Sequence, residues 1–254
     1  MPWDPKLYSA FAAPRLRPAL DLLNRIDLDA PARIADLGCG TGNVTRLLAR
    51  RWPEAQVWGV DSSPEMLRAA GAEPSSVTWV PGDAGTWTPE QPLDLVFSNA
   101  ALHWLDHHDV LLPRLIGLLR AGGVLAVQVP HNHYAASHAV MTETVESGPW
   151  APQLRRLVRR FPVGDCDFYH DILAPHAAQL DIWETEYLHV LEGDDPVVRW
   201  TMGTALKPYL DALDGAWRTE FLAEYTRRIA LAYPRRPDGR TLFPFRRLFM
   251  VAVR

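Results

Sequence analysis

Between Ala35 and Asn43 the chain reads Ala-Asp-Leu-Gly-Cys-Gly-Thr-Gly-Asn, with an apolar run before it and a helical pattern after it. Glycines at 38, 40 and 42 permit a tight turn and a close approach of a ligand to the backbone. The helix that follows offers free N–H groups and the positive end of its dipole to a carboxylate or phosphate. The spacing is G-x-G-x-G; a dinucleotide fingerprint would be G-x-G-x-x-G, and its third glycine position holds Asn43. Asp61 lies 19 residues beyond Gly42, at the end of a second apolar run, where a carboxylate accepts from ribose hydroxyls. Gly82-Asp83-Ala84 follows a third run and suits an adenine amino group. The plain alternative is that the glycines only turn the chain, Asp61 only caps Ser62-Ser63, and Asp36 holds the loop without touching a ligand. One glycine loop leaves the two readings even, whereas the ordered set of loop, acid and second acid favours a nucleoside.

These residues need strands that end beside one another. Arg33 to Gly38, Gln56 to Asp61, Val77 to Val80, Leu93 to Ser98 and Val124 to Val129 read as buried strands. Between them, Val44, Leu47 and Leu48 mark one helix. Ser63 caps a second with Pro64 at its first position. Leu111, Leu112, Leu115, Ile116, Leu118 and Leu119 line a third, expected to stop at Gly122-Gly123. Alternating strands and helices imply a parallel sheet covered on both faces, an α/β, Rossmann-like architecture. After residue 130 the pattern changes. Residues 131–168 and 194–237 are helical in character, Asp181 to Val190 alternates like a strand, and a last strand runs from about Phe245 to Val253. The organisation expected is therefore a core over 1–130 with an N-terminal helix, a helical substrate cap from 131–168 and 194–237, and a return to the core sheet at 169–193 and 238–254.

With 254 residues, 48% apolar and 22% charged, the chain can bury a full core. A net charge of −4 gives no reason to expect nucleic acid or an anionic membrane as partner. Two cysteines, Cys39 and Cys166, make no disulfide framework, which fits a reducing compartment. The first residues carry charge and proline rather than the apolar core of a leader, and no run is long enough to span a membrane, so a cytoplasmic location is expected. Nine histidines, with His103 and His107 at i, i+4, invite a metal reading. Without a Cys pair or H-E-x-x-H, solvated or capping histidines are the expectation, and no metal.

The order of motifs resembles the class I S-adenosylmethionine-dependent methyltransferases over about residues 30 to 130. Asp-Leu-Gly-Cys-Gly-Thr-Gly-Asn at 36–43 is a specific form of their first motif. Asp61 matches their ribose acid, Asp83 their adenine contact, and Asn99 to Trp104 the segment after the fourth strand that faces the methyl donor. A closer resemblance, to the trans-aconitate methyltransferases, spans nearly the whole chain. It rests on Trp3-Asp4-Pro5, Tyr8 and Phe11, on Ser62-Ser63-Pro64-Glu65-Met66, and on Asn99-Ala100-Ala101-Leu102-His103-Trp104. It continues through Gln128-Val129-Pro130-His131-Asn132 and Asp181-Ile182-Trp183-Glu184-Thr185 to Phe243-Pro244-Phe245-Arg246-Arg247-Leu248-Phe249.

The resemblance implies a seven-stranded sheet whose final antiparallel strand slots beside the fifth. It implies S-adenosylmethionine as methyl donor, held by Asp36, Gly38, Gly40, Asp61, Ser62, Met66, Asp83, Ala84 and Asn99; Tyr8 and Arg15, seven apart on one side of an N-terminal helix, are placed for one or both to reach its amino-acid carboxylate. The acceptor would be a tricarboxylate that becomes a methyl ester. A carboxylate is already ionised at pH 7 and the sulfonium is already an activated leaving group, so positioning and desolvation remain as the enzyme's task. His103 and Trp104 are positioning candidates, not a general base, since the family also carries Gln at the place of His103. The non-reacting carboxylates need cations, preferably arginine forks. Arg246, Arg247 and Lys207 are the first candidates, with Arg15 and Arg17 behind them and Asn132 and Tyr169 as further substrate contacts. Arg155, Arg156, Arg159 and Arg160 read as a solvated face. Trp104, Trp150, Trp183 and Trp200 are candidate pocket walls or ordinary core. Two rivals stay open: methylation of another small acceptor at O, N or C, with His103 as base, and a module that binds the cofactor without transferring methyl.

Overall fold

The computed structural model describes residues 12–158 and 162–254, with only the backbone described over 12–15. The elements in chain order are α1 (Ala12–Asn24), β1 (Arg33–Leu37), α2 (Asn43–Arg51), β2 (Gln56–Asp61), α3 (Pro64–Ala70), β3 (Thr78–Pro81) and β4 (Leu93–Asn99). Then come α4 (His108–Gly117), β5 (Leu119–Pro130), α5 (Ala136–Ser147), α6 (Ala151–Leu154), α7 (Cys166–Leu173), β6 (Gln179–Leu191), α8 (Pro196–Met202), α9 (Lys207–Ala212), α10 (Gly215–Ala232) and β7 (Thr241–Val253). One seven-stranded sheet has the order β3-β2-β1-β4-β5-β7-β6. The first five strands are parallel, and β7 runs antiparallel beside β5 from Val124↔Val253 to Pro130↔Arg247. The strand order reverses at β1, between β2 and β4, and in open α/β sheets that switch point is where ligands bind outside the carboxyl ends.

The chain divides into two compact units. The first, residues 16–130, 162–185 and 247–254, carries most of the sheet. Its core on one face joins Leu125, Val127 and Val129 of β5 and Leu248, Met250 and Ala252 of β7 to Leu111, Leu112, Leu115 and Ile116 of α4 and Tyr169 and Leu173 of α7. These strands read as near-continuous apolar runs because both faces of a parallel sheet are covered. Residues 162–168, expected within the helical cap, belong to this unit with α7.

The described residues of the second unit, 12–15, 131–158 and 186–246, are mainly helical. Val140, Met141 and Val145 of α5 pack with Val197, Val198 and Trp200 of α8 and Phe221, Tyr225 and Ile229 of α10. Trp150 donates to Thr144 O at 2.7 Å and meets Phe221 edge-on, while Trp200 is 2% exposed. Both tryptophans are therefore core and not pocket wall.

The glycines 122 and 123 depart from expectation. They do not stop the helix, which ends at Gly117, but form a bulged start of β5, with a register shift between Leu93 and Leu95. Gly122 has φ +73°, and a Cβ on Gly123 would lie 3.0 Å from Leu93 O. Glycine is required here by close strand approach rather than as a helix stop.

Candidate active site

The loop after β1 is built around positive φ. Gly38, Gly40 and Gly42 have φ of +75°, +56° and +78°. At Gly38 the constraint is also steric, since a Cβ there would stand 2.2 Å from the Ala101 Cβ, which follows β4. Behind Gly42 sits the ring of Trp79, 2.3 Å from where a Cβ would be, and the same ring closes on Gly59 at 2.5 Å. The Arg46 guanidinium lies 5.3 Å from the Trp79 ring centre and donates to Thr41 O at 3.0 Å. Trp79 and Arg46 thus wedge the loop from below. Neither was marked in the sequence, because a tryptophan in a strand carries no local sign of the loop it supports.

Asp61 at the end of β2 serves both readings. Its Oδ2 accepts from Gly40 N and its Oδ1 from Ser63 N, each at 2.8 Å. Each oxygen keeps a second lone pair, so a carboxylate that shapes the loop can still take ribose hydroxyls. Ser63 caps α3 through Met66 N at 3.3 Å, with Pro64 in its first turn. Ser62 is exposed beside Asp61, and Met66 is half-buried. Asp83 is exposed, with Oδ1 taken by Gly85 N at 2.7 Å and Ala84 half-buried next to it.

Asp36 is 2% exposed and accepts from Thr45 Oγ1 of α2 at 2.6 Å. Burial is the main cause that pushes its carboxyl up to about 7, with the Asp61 charge adding to it. Asp36 therefore holds the loop to the first turn of α2.

The segment after β4 is held by β5 and α4. Ala100 has φ +53°, its N–H donates to Gln128 O at 2.8 Å, and a single 3-10 turn covers Leu102–Trp104. His108 fixes that turn, with Nε2 at 3.0 Å from Leu102 O and Nδ1 at 2.6 Å from the Tyr169 hydroxyl. A carbonyl only accepts, so Nε2 carries the hydrogen, Nδ1 accepts, and the tyrosine donates. Burial lowers the His108 pKa, in keeping with that neutral ring. His103 is 8% exposed with its ring centre 4.7 Å from that of Trp104, which is 46% exposed.

The expected substrate residues are distributed unevenly. Tyr169 is a correction: it is fully buried in the core with its hydroxyl engaged by His108, so it supports the 3-10 turn rather than presenting itself to a ligand. Arg246, also expected at the substrate, is exposed on β7 and paired with Glu186 at 3.1 Å. Alternation along the strand turns Arg247 to the other face, where it is 7% exposed. Lys207 forms an i, i+4 ion pair with Asp211 on α9, so its charge is already compensated. Asn132 is 5% exposed; its Oδ1 accepts from Arg246 N at 3.3 Å, and its Nδ2 is a buried donor without a hydrogen bond. Trp183 stacks on Phe249 at 4.8 Å and 6°. Arg17 is exposed on α1; Tyr8 lies outside the described residues, as does the side chain of Arg15.

Whether this site suits S-adenosylmethionine is tested by the polar atoms it leaves over. Asn99 Oδ1, at the end of β4, is buried and accepts no hydrogen bond. An orphaned acceptor is costly in the free protein and matches the ammonium of an amino-acid moiety. With the first turn of α2, which has no side-chain cap, the second lone pairs of Asp61 and the exposed Asp83, the residues fit an ammonium, a carboxylate, a ribose and an adenine in that spread.

A family model described as a methyltransferase domain matches residues 34–123. The trans-aconitate 2-methyltransferase of Azoarcus sp. (strain BH72) is 50% identical over 99% of this chain and 99% of its own. That of Methylobacterium radiotolerans is 47% identical over 98% of this chain and 97% of its own. Among solved structures, a Haemonchus contortus phosphoethanolamine N-methyltransferase in complex with S-adenosyl-L-methionine aligns with a TM-score of 0.55 at 18% identity, over 93% of this chain and 52% of that one. The YcgJ protein of a Bacillus aligns at 0.58 and 17%, over 94% and 98%. At that identity the structures speak to the fold, which is the methyltransferase sheet. Half-identity held from end to end speaks to more, and on it the chain belongs to the trans-aconitate 2-methyltransferase family.

Proposed function

We propose that the protein transfers the methyl group of S-adenosylmethionine to a carboxylate of trans-aconitate, giving a monomethyl ester. The observation that carries this reading is 50% identity to a trans-aconitate 2-methyltransferase across 99% of both chains, including the regions outside the cofactor motif. When bound, the cofactor supplies a methyl on a positively charged sulfur. The 36–42 loop and Asp61 hold the nucleoside and amino-acid ends, Asp83 and Ala84 meet the base, and Asn99 accepts from the ammonium. A carboxylate acceptor would arrive ionised, with no proton for a side chain to remove before the methyl is taken. The chain therefore has to supply alignment and a dry surface, and no general base.

Positive charge for the other carboxylates comes from Arg247. His103 and Trp104 shape the approach to the methyl group. The location we propose is the cytoplasm; among the described residues no helix is long and apolar enough to cross a membrane. Incubating the protein with methyl-labelled S-adenosylmethionine and a panel of small organic acids tests the reading. Label should enter trans-aconitate and be released from it by mild alkali, as from an ester. Transfer to an amine or alcohol in preference to every acid would replace it.

A further inference from the structure

β5 contains one side chain that does not belong in a core. In Val124-Leu125-Ala126-Val127-Gln128-Val129 every residue is apolar except Gln128, which is 0% exposed. Neither its Oε1 nor its Nε2 has a hydrogen bond. A buried amide with both ends unsatisfied is destabilising in the free protein, and such a group persists where a ligand completes it.

The register shows what surrounds it. Gln128 is the direct partner of Asn99 on β4 and of Phe249 on β7, so all three side chains leave the same face of the sheet. That is the face opposite Val127, Val129 and Leu248, which point into the core with α4 and α7. Arg247, partner of Pro130, is the next residue on this face along β7 and is a diagonal neighbour of Gln128, about 7–8 Å away. From β4 to β7 the row therefore runs from an acceptor at Asn99, through an amide offering both an acceptor and a donor, to a guanidinium, with the Phe249–Trp183 stack as its apolar flank. Polarity along the row changes from cation-seeking to anion-seeking. It fits a junction where the ammonium of the methyl donor and a carboxylate of the acceptor meet.

We propose that Gln128 orients the reacting carboxylate, its Nε2 donating to the oxygen that does not attack while Oε1 faces the ammonium. This rests on the carboxylate acceptor proposed above and deepens it. A neutral amide suits that task better than an arginine. A full positive charge on the reacting carboxylate would draw electron density from the attacking oxygen, whereas an amide fixes its direction at smaller cost to nucleophilicity. Arg247 is left for a second carboxylate, so the row selects small polycarboxylates over monocarboxylates.

Two variants and four readouts test this. Gln128→Met keeps the bulk and removes both orphaned atoms. Its melting temperature without ligand should rise by about 2–4 °C, while KM for trans-aconitate rises about 10- to 100-fold. Gln128→Glu keeps an acceptor for the ammonium but sets a charge against the carboxylate. Its calorimetric affinity for S-adenosylhomocysteine should stay near wild type while trans-aconitate turnover is lost. A purely structural glutamine gives the reverse pattern, in which Gln128→Met melts lower and keeps its KM, and that result overturns the proposal. Wild type is assayed alongside on the acid panel. If its acceptor is an anion other than trans-aconitate, the variants are compared on that anion, and selective loss there upholds Gln128 while correcting the named substrate.

Discussion

Glycines 38 and 40 share a backbone conformation but not an environment, and that difference sets two unequal predictions. Alanine at 38 meets the Ala101 Cβ at 2.2 Å, whereas alanine at 40 meets nothing within 4 Å. Gly40→Ala carries the left-handed strain alone, about 1–2 kcal/mol. Gly38→Ala adds overpacking against a methyl that moves only with its backbone, for a total of about 2–5 kcal/mol. Urea denaturation should rank them in that order, and only Gly38→Ala should displace the segment after β4 and with it cofactor affinity. Equal losses would mean that Ala101 yields easily. The Asp36 carboxyl gives a pH prediction at the same scale. Raised from 3.8 to about 7, it holds a proton in the folded state that the unfolded chain has released between those pH values. Stability therefore falls as pH rises through that window and levels off above it, by on the order of 4 kcal/mol. Asp36→Asn keeps an acceptor for Thr45 and removes the charge. Its advantage over wild type should be absent near pH 4 and largest above pH 7, as read by denaturation across the range. A pH-independent difference would place a normal carboxylate there. His103→Gln, finally, should retain most activity, because the reaction moves no proton; a collapse of kcat that recovers at high pH would point to an acceptor that must lose one.

At the scale of elements, the turn at Leu102–Trp104 depends on a chain of bonds reaching through the sheet unit from Tyr169 to His108 to the Leu102 carbonyl. Tyr169→Phe should destabilise by about 1–3 kcal/mol, the cost of an unsatisfied buried group, while leaving KM for trans-aconitate unchanged. A raised KM with unchanged stability would return Tyr169 to the substrate. This tyrosine also shows what a sequence can and cannot convey. The five parallel strands were legible because burial on both faces leaves continuous apolar runs, and Ser63-Pro64 marked a helix start through its own cap. The glycine loop and Asp61 were legible because their spacing is local. Tyr169, by contrast, is an aromatic residue whose partner is 61 positions away, and periodicity does not say whether its hydroxyl meets solvent or His108. Arg246 and Arg247 are neighbours that strand alternation sends to opposite faces, one exposed with Glu186 and one buried. Gly122-Gly123 reads as a helix stop by composition, yet close strand approach makes it a bulge. Gln128 left a usable signal in the form of a single amide inside an apolar strand. The question that finds it is which core residue has no reason to be there.

For the molecule as a whole, the match to trans-aconitate 2-methyltransferases runs from end to end, so both compact units carry the family's sequence and not the cofactor fold alone. The chemistry joins an ionised oxygen to an already activated methyl, and it calls for neither a Lewis acid nor a redox centre. Exhaustive chelation should accordingly leave the rate unchanged; loss on EDTA treatment and recovery with a divalent ion would show a role for metal. The central claim is that the acceptor is a carboxylate held ready-ionised. The most direct measurement is the identity of the methylated product formed from labelled S-adenosylmethionine and trans-aconitate, read by mass and by alkaline lability. The account predicts one added methyl, on oxygen, as an ester of trans-aconitate that alkali returns to the acid. An alkali-stable methyl on nitrogen or carbon of another acceptor, with trans-aconitate untouched, would contradict it.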